Sequence, residues 1–357
     1  MSNFFGTLAK TLTTQSINTA IISSLAIILL GFYCRKKNIF KDTFAKTLTS
    51  VVLSVSIPAL ALKSFMADIK PETFQQGMNV LIWGIVIYVV LIFATIPMYA
   101  KFKGDKNDTM RVLTIFGSTT FFGIPIVTSI YGNEGTLYAS IFNIGYRIFL
   151  YSYAYIKMSG LQVTKDNIKK MFLNPIVIAT FAGLLIWVFQ AYLPQVSVMV
   201  KNAKTGEMVA KSYAFLRLDK TLPQIFQVLT YLAGLASPLA WLAIGSTLGS
   251  IDFKKAISDK EVWYYSVMKL VAVPAINIIL LAILTATHIL PVNLVALGTV
   301  VIMMATPPAT VAAAYAISFD KDAVLASNAS LLGTIGAVVM TPIWIVIINI
   351  LGSTGLF

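Results

Sequence analysis

Residues 116–131 read FGSTTFFGIPIVTSIY. The stretch is apolar enough for a membrane interior, yet it is interrupted by Ser118-Thr119-Thr120 and again by Gly123-Ile124-Pro125. A break in a membrane helix frees backbone groups that find no water in lipid. Such breaks persist only where protein packs around them or where they line a cavity. A second stretch of the same kind, MMATPPATVAAAYAISF at 303–319, is interrupted at Thr306-Pro307-Pro308. Proline is common in membrane helices, so one such break means little. Two breaks at corresponding places in two halves of a chain mark the binding site of a repeat-built carrier.

Composition agrees with a membrane setting. Of the 357 residues, 57% are apolar and 11% charged, against about a quarter charged in a soluble domain. The excess of 27 Lys and Arg over 14 Asp and Glu invites a nucleic-acid reading. The basic residues fall instead in short clusters between apolar runs, as in cytoplasmic loops, so no nucleic acid is expected. One cysteine, Cys34, allows no internal disulfide and no metal-ligand spacing. The single histidine, His288, reads as a loop residue beside Pro291. No metal and no cofactor are expected. The first residues lack a basic region ahead of their apolar run, so no cleaved signal peptide is expected.

A bilayer span takes about 20 mostly apolar residues. On that rule the fold class is an all-α integral membrane protein with ten transmembrane helices. They run at roughly 17–34, 44–65, 77–100, 110–131, 135–157, 174–193, 223–249, 262–287, 292–318 and 323–351. Lys and Arg crowd the loops after the first span (Arg35, Lys36, Lys37, Lys41), the third (Lys101, Lys103, Lys106, Arg111), the fifth (Lys157, Lys165, Lys169, Lys170) and the seventh (Lys254, Lys255, Lys260). Positive loops stay in the cytoplasm. The expected location is a cell membrane, crossed many times, with both termini outside. The segment 194–222 is basic yet falls outside in this scheme. At about 30 residues it is long enough to weaken the charge rule. Its alternation around Thr205-Gly206 suits a small hairpin or an interfacial segment.

The halves echo each other. Residues 56–62 (SIPALAL) align with 236–242 (ASPLAWL), and Glu134, Leu137 and Gly145 align with Asp322, Leu325 and Gly333. A repeat of five spans must insert its second copy upside down, so the reading is two inverted five-helix repeats with broken fourth and ninth helices. The divisions are 1–193, the first repeat plus span six; 194–222, an extracellular connector; and 223–357, spans seven to ten.

These motifs resemble the auxin efflux carrier family, which includes plant auxin exporters and bacterial malate or malonate permeases. The marks are SIPALALKSF at 56–65, Gly123-Ile124-Pro125 followed by Tyr131-Gly132, IFNIGYR at 141–147, Asn174-Pro175-Ile176 with Gly183, Ser237-Pro238-Leu239 with Ile244-Gly245-Ser246, and the span prolines Pro307 and Pro342. The resemblance implies a scaffold and dimer contact from spans 1, 2, 6 and 7. It implies a mobile transport subdomain from spans 3–5 and 8–10 with the broken fourth and ninth helices crossing at its centre, a homodimer, and elevator-type transport of small organic anions. Two positions depart from the family pattern: Ser118 and Arg147 stand where asparagine is frequent.

Arg147 is the sharpest chemical signal. It lies mid-span, where a charge costs roughly 2.5–3.5 kcal/mol on insertion scales and usually faces a cavity or a partner. Its fork matches a carboxylate. Either it neutralises a substrate carboxylate or it pairs internally with a carboxylate or with backbone carbonyls. A half-helix starting at a break offers free N–H groups and a positive dipole end. Pro125 and Pro308 suit such starts. Ser118, Thr119, Thr120, Thr306 and Thr310 offer hydroxyls, either to substrate or to the freed backbone. Asn143 reads as substrate-binding or as a helix–helix hydrogen bond. The candidate site is Ser118, Thr119, Thr120, Gly123, Pro125, Asn143, Arg147, Thr306, Pro307, Pro308 and Thr310. Lys63 and Lys269 read as snorkelling side chains near span ends. Gly145, Gly183, Gly245, Gly333 and Gly336 read as close-packing positions.

The function so indicated is a secondary active or facilitative transporter of a small organic anion, for example a dicarboxylate such as malate. A sodium- or proton-coupled symporter and a ligand sensor on a transporter fold are the alternatives. An enzyme is not expected, since the chain lacks His-Glu-x-x-His, a carboxylate pair within the spans and Gly-x-Ser-x-Gly.

Overall fold

The structure is a computed structural model that describes residues 15–160, 173–201, 207–250 and 257–357. Several sequence readings lie outside these residues: the chain start up to residue 14, Lys165, Lys169 and Lys170, Lys204 with the Thr205-Gly206 turn, and Lys254 and Lys255.

Apolar runs without charge wind into helices here because the bilayer leaves each backbone group no partner but its own turn. The elements are α1 (Gln15–Lys36), α2 (Phe44–Ser64), α3 (Pro71–Met98), α4 (Gly104–Ile115), α5 (Ile124–Phe149), α6 (Pro175–Phe189), strands β1 (Gln195–Lys201) and β2 (Met208–Ala214), α7 (Pro223–Gly249), α8 (Lys260–Ala286), α9 (Leu294–Met304), α10 (Thr310–Ser318) and α11 (Ala323–Gly352). Among the described residues, α2, α3, α7, α8 and α11 are long and apolar enough to cross a membrane. The protein is therefore a mostly helical, multi-pass membrane protein. The strands form one antiparallel hairpin, pairing Gln195 with Ala214 through to Lys201 with Met208. The connector's alternation thus becomes a hairpin, a small β exception within an α fold.

Wider π turns interrupt the winding at Val52–Ser56, Thr119–Gly123, Leu150–Ala154 and Met268–Ala272. The long α5 also contains a sharp turn at Gly132, whose φ of 60° is a left-handed value that glycine adopts without strain. That turn separates the end of the fourth predicted span from the start of the fifth.

Packing joins α1 to the second half of α7, and the end of α2 to α6 and the start of α7. It also joins α3 to α5, α5 to α9, and α8 to α11. Close approaches rest on absent side chains. A Cβ on Gly145 would meet the backbone of Gly84, and one on Gly245 would meet that of Ile28. Gly183, Gly333 and Gly336 likewise sit against Phe65, Pro308 and Leu270. Polar ties reinforce the apolar contacts. The Trp83 indole donates to Asn277 at 3.1 Å, linking α3 to α8, and Asn79 donates to the Pro291 carbonyl at 2.6 Å.

Ion pairs gather the loops at two ends. At one end Lys106 meets Glu261 at 2.6 Å, Lys157 meets Asp108 at 2.8 Å, and Lys321 meets Asp105. At the other, Arg217 joins the hairpin's exit to Asp68, just past α2, and to Gln190, just past α6.

Candidate functional site

The site forms where the two breaks meet. α4 ends at Ile115, where Phe116 turns extended, and Gly117 and Ser118 lead on to the π turn. Gly117 forms an antiparallel bridge with Pro308. The Ser118 N–H donates to Pro307 O at 2.7 Å, and the Ala309 N–H donates to Phe116 O at 2.9 Å. Each break thereby satisfies backbone groups freed by the other, which is how an interrupted helix survives at membrane depth.

The prolines act differently from one another. Pro125 lies in the first turn of α5, as expected for a residue without an N–H. Pro308 lies in the extended crossing, two residues before α10 begins at Thr310. It is a bridge residue rather than a helix start, because its φ also suits extended backbone.

Beside the crossing is a cavity of about 110 Å³. Its walls include Ser118, Thr120, Tyr146, Arg147, Tyr151, Asn174 and Thr310. Four of the sequence candidates, Ser118, Thr120, Arg147 and Thr310, thus share one space. Arg147 is 8% exposed and donates to the Thr120 hydroxyl at 3.4 Å. Among the described residues it has no carboxylate partner within ion-pair distance. The starts of two helical segments, the π turn from Thr119 and α10 from Thr310, stand at the same cavity. Free amides at helix starts and a guanidinium make an electropositive pocket suited to a carboxylate.

The other candidates stand around this cavity rather than in it. Thr119 is fully buried and donates to the Asn143 side-chain oxygen at 2.7 Å, tying the break to α5. The Asn143 amide nitrogen is buried with no partner among the described residues. Thr306 turns its hydroxyl to Met303 O at 2.9 Å. A Cβ on Gly123 would lie 2.7 Å from the Met303 sulfur, so Gly123 sets how closely α9 approaches. Pro307 contributes its carbonyl, as above, and the Pro125 carbonyl accepts from the Ser237 hydroxyl at 3.1 Å.

Tyr146, Tyr151 and Asn174 are wall residues that the sequence reading passed over. Asn174 figured in the sequence only as part of the Asn174-Pro175-Ile176 mark; its side-chain oxygen caps α6, accepting from the Ile176 N–H at 2.9 Å. Nothing in the sequence said that this start faces the crossing. Lys269 departs most from expectation. It does not snorkel. It is fully buried and donates to Thr114 O at 2.9 Å. The partial negative charge at the end of α4 favours a cation there and works against the cost of burial.

Crossed helix breaks beside a cavity, in a multi-pass helical protein, are the pattern of membrane transporters. The family model described as membrane transport protein matches residues 16–166 and 159–345, and the chain belongs to that family, the auxin efflux carrier family that its motifs resemble. It is 24% identical over 339 residues to an uncharacterized transporter of Methanothermobacter thermautotrophicus, covering 92% of this chain and 97% of that one. It is also 24% identical over 131 residues to an uncharacterized transporter of Methanocaldococcus jannaschii, covering 35% of this chain and 42% of that one. The family and these relatives are transporters, not enzymes.

Proposed function

We propose that this transporter carries a small organic anion, with a dicarboxylate such as malate as the first substrate to test. One observation carries the reading: Arg147, buried and without an acidic partner among the described residues, faces a cavity shared with two helix starts. A buried guanidinium with so little compensation is poised for a carboxylate. Ser118, Thr120 and Thr310 supply hydroxyls around it. The proposed architecture is the ten-span inverted repeat with outside termini, working as a homodimer. The movement is an elevator-type shift of α3–α5 and α8–α11 against α1, α2, α6 and α7. The packing of α1 with α7 and of α3 with α5 supports that division, and the two loop ends tied by separate ion pairs support the alternation of sides.

The test is uptake of radiolabelled malate into proteoliposomes by the wild type and by Arg147→Ala. We expect uptake by the wild type and at least about a tenfold loss in the variant, since a lost charge pairing exceeds about 1.4 kcal/mol. Undiminished uptake by Arg147→Ala overturns the role of Arg147. No uptake by the wild type removes malate, and a panel of other carboxylates then decides the anion class.

A further inference from the structure

The eighth predicted span sends two polar side chains into the end of α4. Tyr265 and Lys269 are four residues apart and so share one helix face. The Tyr265 hydroxyl donates to Leu113 O at 3.1 Å, and the Lys269 ammonium donates to Thr114 O at 2.9 Å. Two neighbouring carbonyls are satisfied by backbone: Val112 O by Phe116 N–H at 3.0 Å and Phe116 O by Ala309 N–H. The last turn of a half-helix is thus closed by two donors, a phenol and the terminal nitrogen of a lysine.

That nitrogen stands at the crossing itself. A Cβ on Gly117 would lie 2.9 Å from the Lys269 nitrogen and would also collide with the Thr306 hydroxyl. Lys269 is 0% exposed and forms no ion pair among the described residues. A buried ammonium is costly unless something answers its charge. The group facing it here is the carbonyl end of α4, where the macrodipole leaves about half a negative charge. In repeat-built carriers, half-helix carbonyl ends and unwound backbone are where a coupling cation binds.

We propose that the Lys269 ammonium is a tethered cation occupying the place of a coupling ion at the crossover, so that this carrier needs no sodium. The inference rests on the reading of the crossover as the centre of a carrier. It deepens that reading by assigning the charge that faces the carbonyl end, distinct from Arg147 at the helix starts.

The test needs no substrate, so it fails or succeeds separately from the malate experiment. Thermal unfolding of the purified full chain in detergent is followed in sodium, methylammonium and choline chlorides at equal ionic strength. The wild type should unfold at the same temperature in all three. Lys269→Ala should unfold several degrees lower in choline and recover, saturably, in methylammonium, whose small cation fits the vacated place. Lys269→Met fills that place with an uncharged stem and should stay low in every salt. A saturable sodium stabilisation of the wild type overturns the proposal. So does a Lys269→Ala protein as stable as the wild type in choline, or one restored by no cation or by all three alike. If Lys269→Ala cannot be isolated, the wild-type sodium titration still decides.

Discussion

Gly117 shows how little freedom single residues have at the crossing. Its missing side chain leaves the space in which Thr306 and the Lys269 ammonium stand. Gly117→Ala should therefore spread the two breaks, at about 1–3 kcal/mol, the usual cost of overpacking. Thermal unfolding should show the loss, and uptake should fall with it. An alanine variant of wild-type stability would mean that Thr306 and Lys269 move aside freely. At this scale the sequence was legible wherever chemistry clashed with setting. Arg147 stood out as a charge in mid-span, and Pro307 and Pro308 stood out as breakers. Lys269 did not, because its position about two turns into a span also suits a snorkelling side chain. Only the placement of α4's end beside α8 distinguishes the two. Tyr146 and Tyr151 were equally hidden, since aromatic residues in an apolar run carry no sign of the direction they face.

At the scale of elements, the breaks were legible and their mutual repair was not. Glycine, proline and threonine told where α4 and α9 stop. The pairing of Ser118 with Pro307 and of Ala309 with Phe116 depends on two segments about 190 residues apart meeting in register. The π turns were invisible for a different reason: a single extra residue per turn leaves hydrophobicity unchanged. The hairpin was visible as alternation, but its anchor was not. Arg217 counted as one more loop charge, yet it is 1% exposed. It holds Asp219 through two hydrogen bonds of 2.8 and 2.9 Å, Asp68 at 2.8 Å and Gln190 at 2.6 Å. Burial works against its charge, and the carboxylates of Asp219 and Asp68 outweigh that, so its pKa lies above the usual arginine value. Arg217→Met should cost about 3 kcal/mol, because it leaves the half-buried Asp219 carboxylate with only Lys220, at 3.5 Å. Limited proteolysis should then cut within 195–214 faster than in the wild type. Unchanged cleavage would show that strand pairing alone holds the hairpin.

For the whole molecule, the basic loops after the first, third, fifth and seventh spans gave an orientation before any contact was known. The ion pairs that gather Lys106, Lys157 and Lys321 at one end are compatible with it. The orientation is directly testable because Cys34 is the sole cysteine. In a Cys34→Ser background, cysteine is placed at Lys103 or at Ser353, both exposed. A membrane-impermeant maleimide should label Ser353→Cys on intact cells and Lys103→Cys only after permeabilisation. The reverse pattern would turn the protein over. What the charge count could not give is the grouping of helices, which depends on glycine-to-backbone contacts such as Gly245 with Ile28.

Arg147 and Lys269 belong to α5 and α8, and neither has an acidic partner among the described residues. A carrier that shifts these helices across the membrane shifts two elementary charges of its own. In a field of 100 mV, each complete charge crossing is worth about 2.3 kcal/mol. A bound dicarboxylate would cancel both, making the loaded body nearly indifferent to voltage. The empty body would feel the field in full. In a cell negative inside, voltage would then hold the unloaded carrier open toward the cytoplasm, and loading would release it.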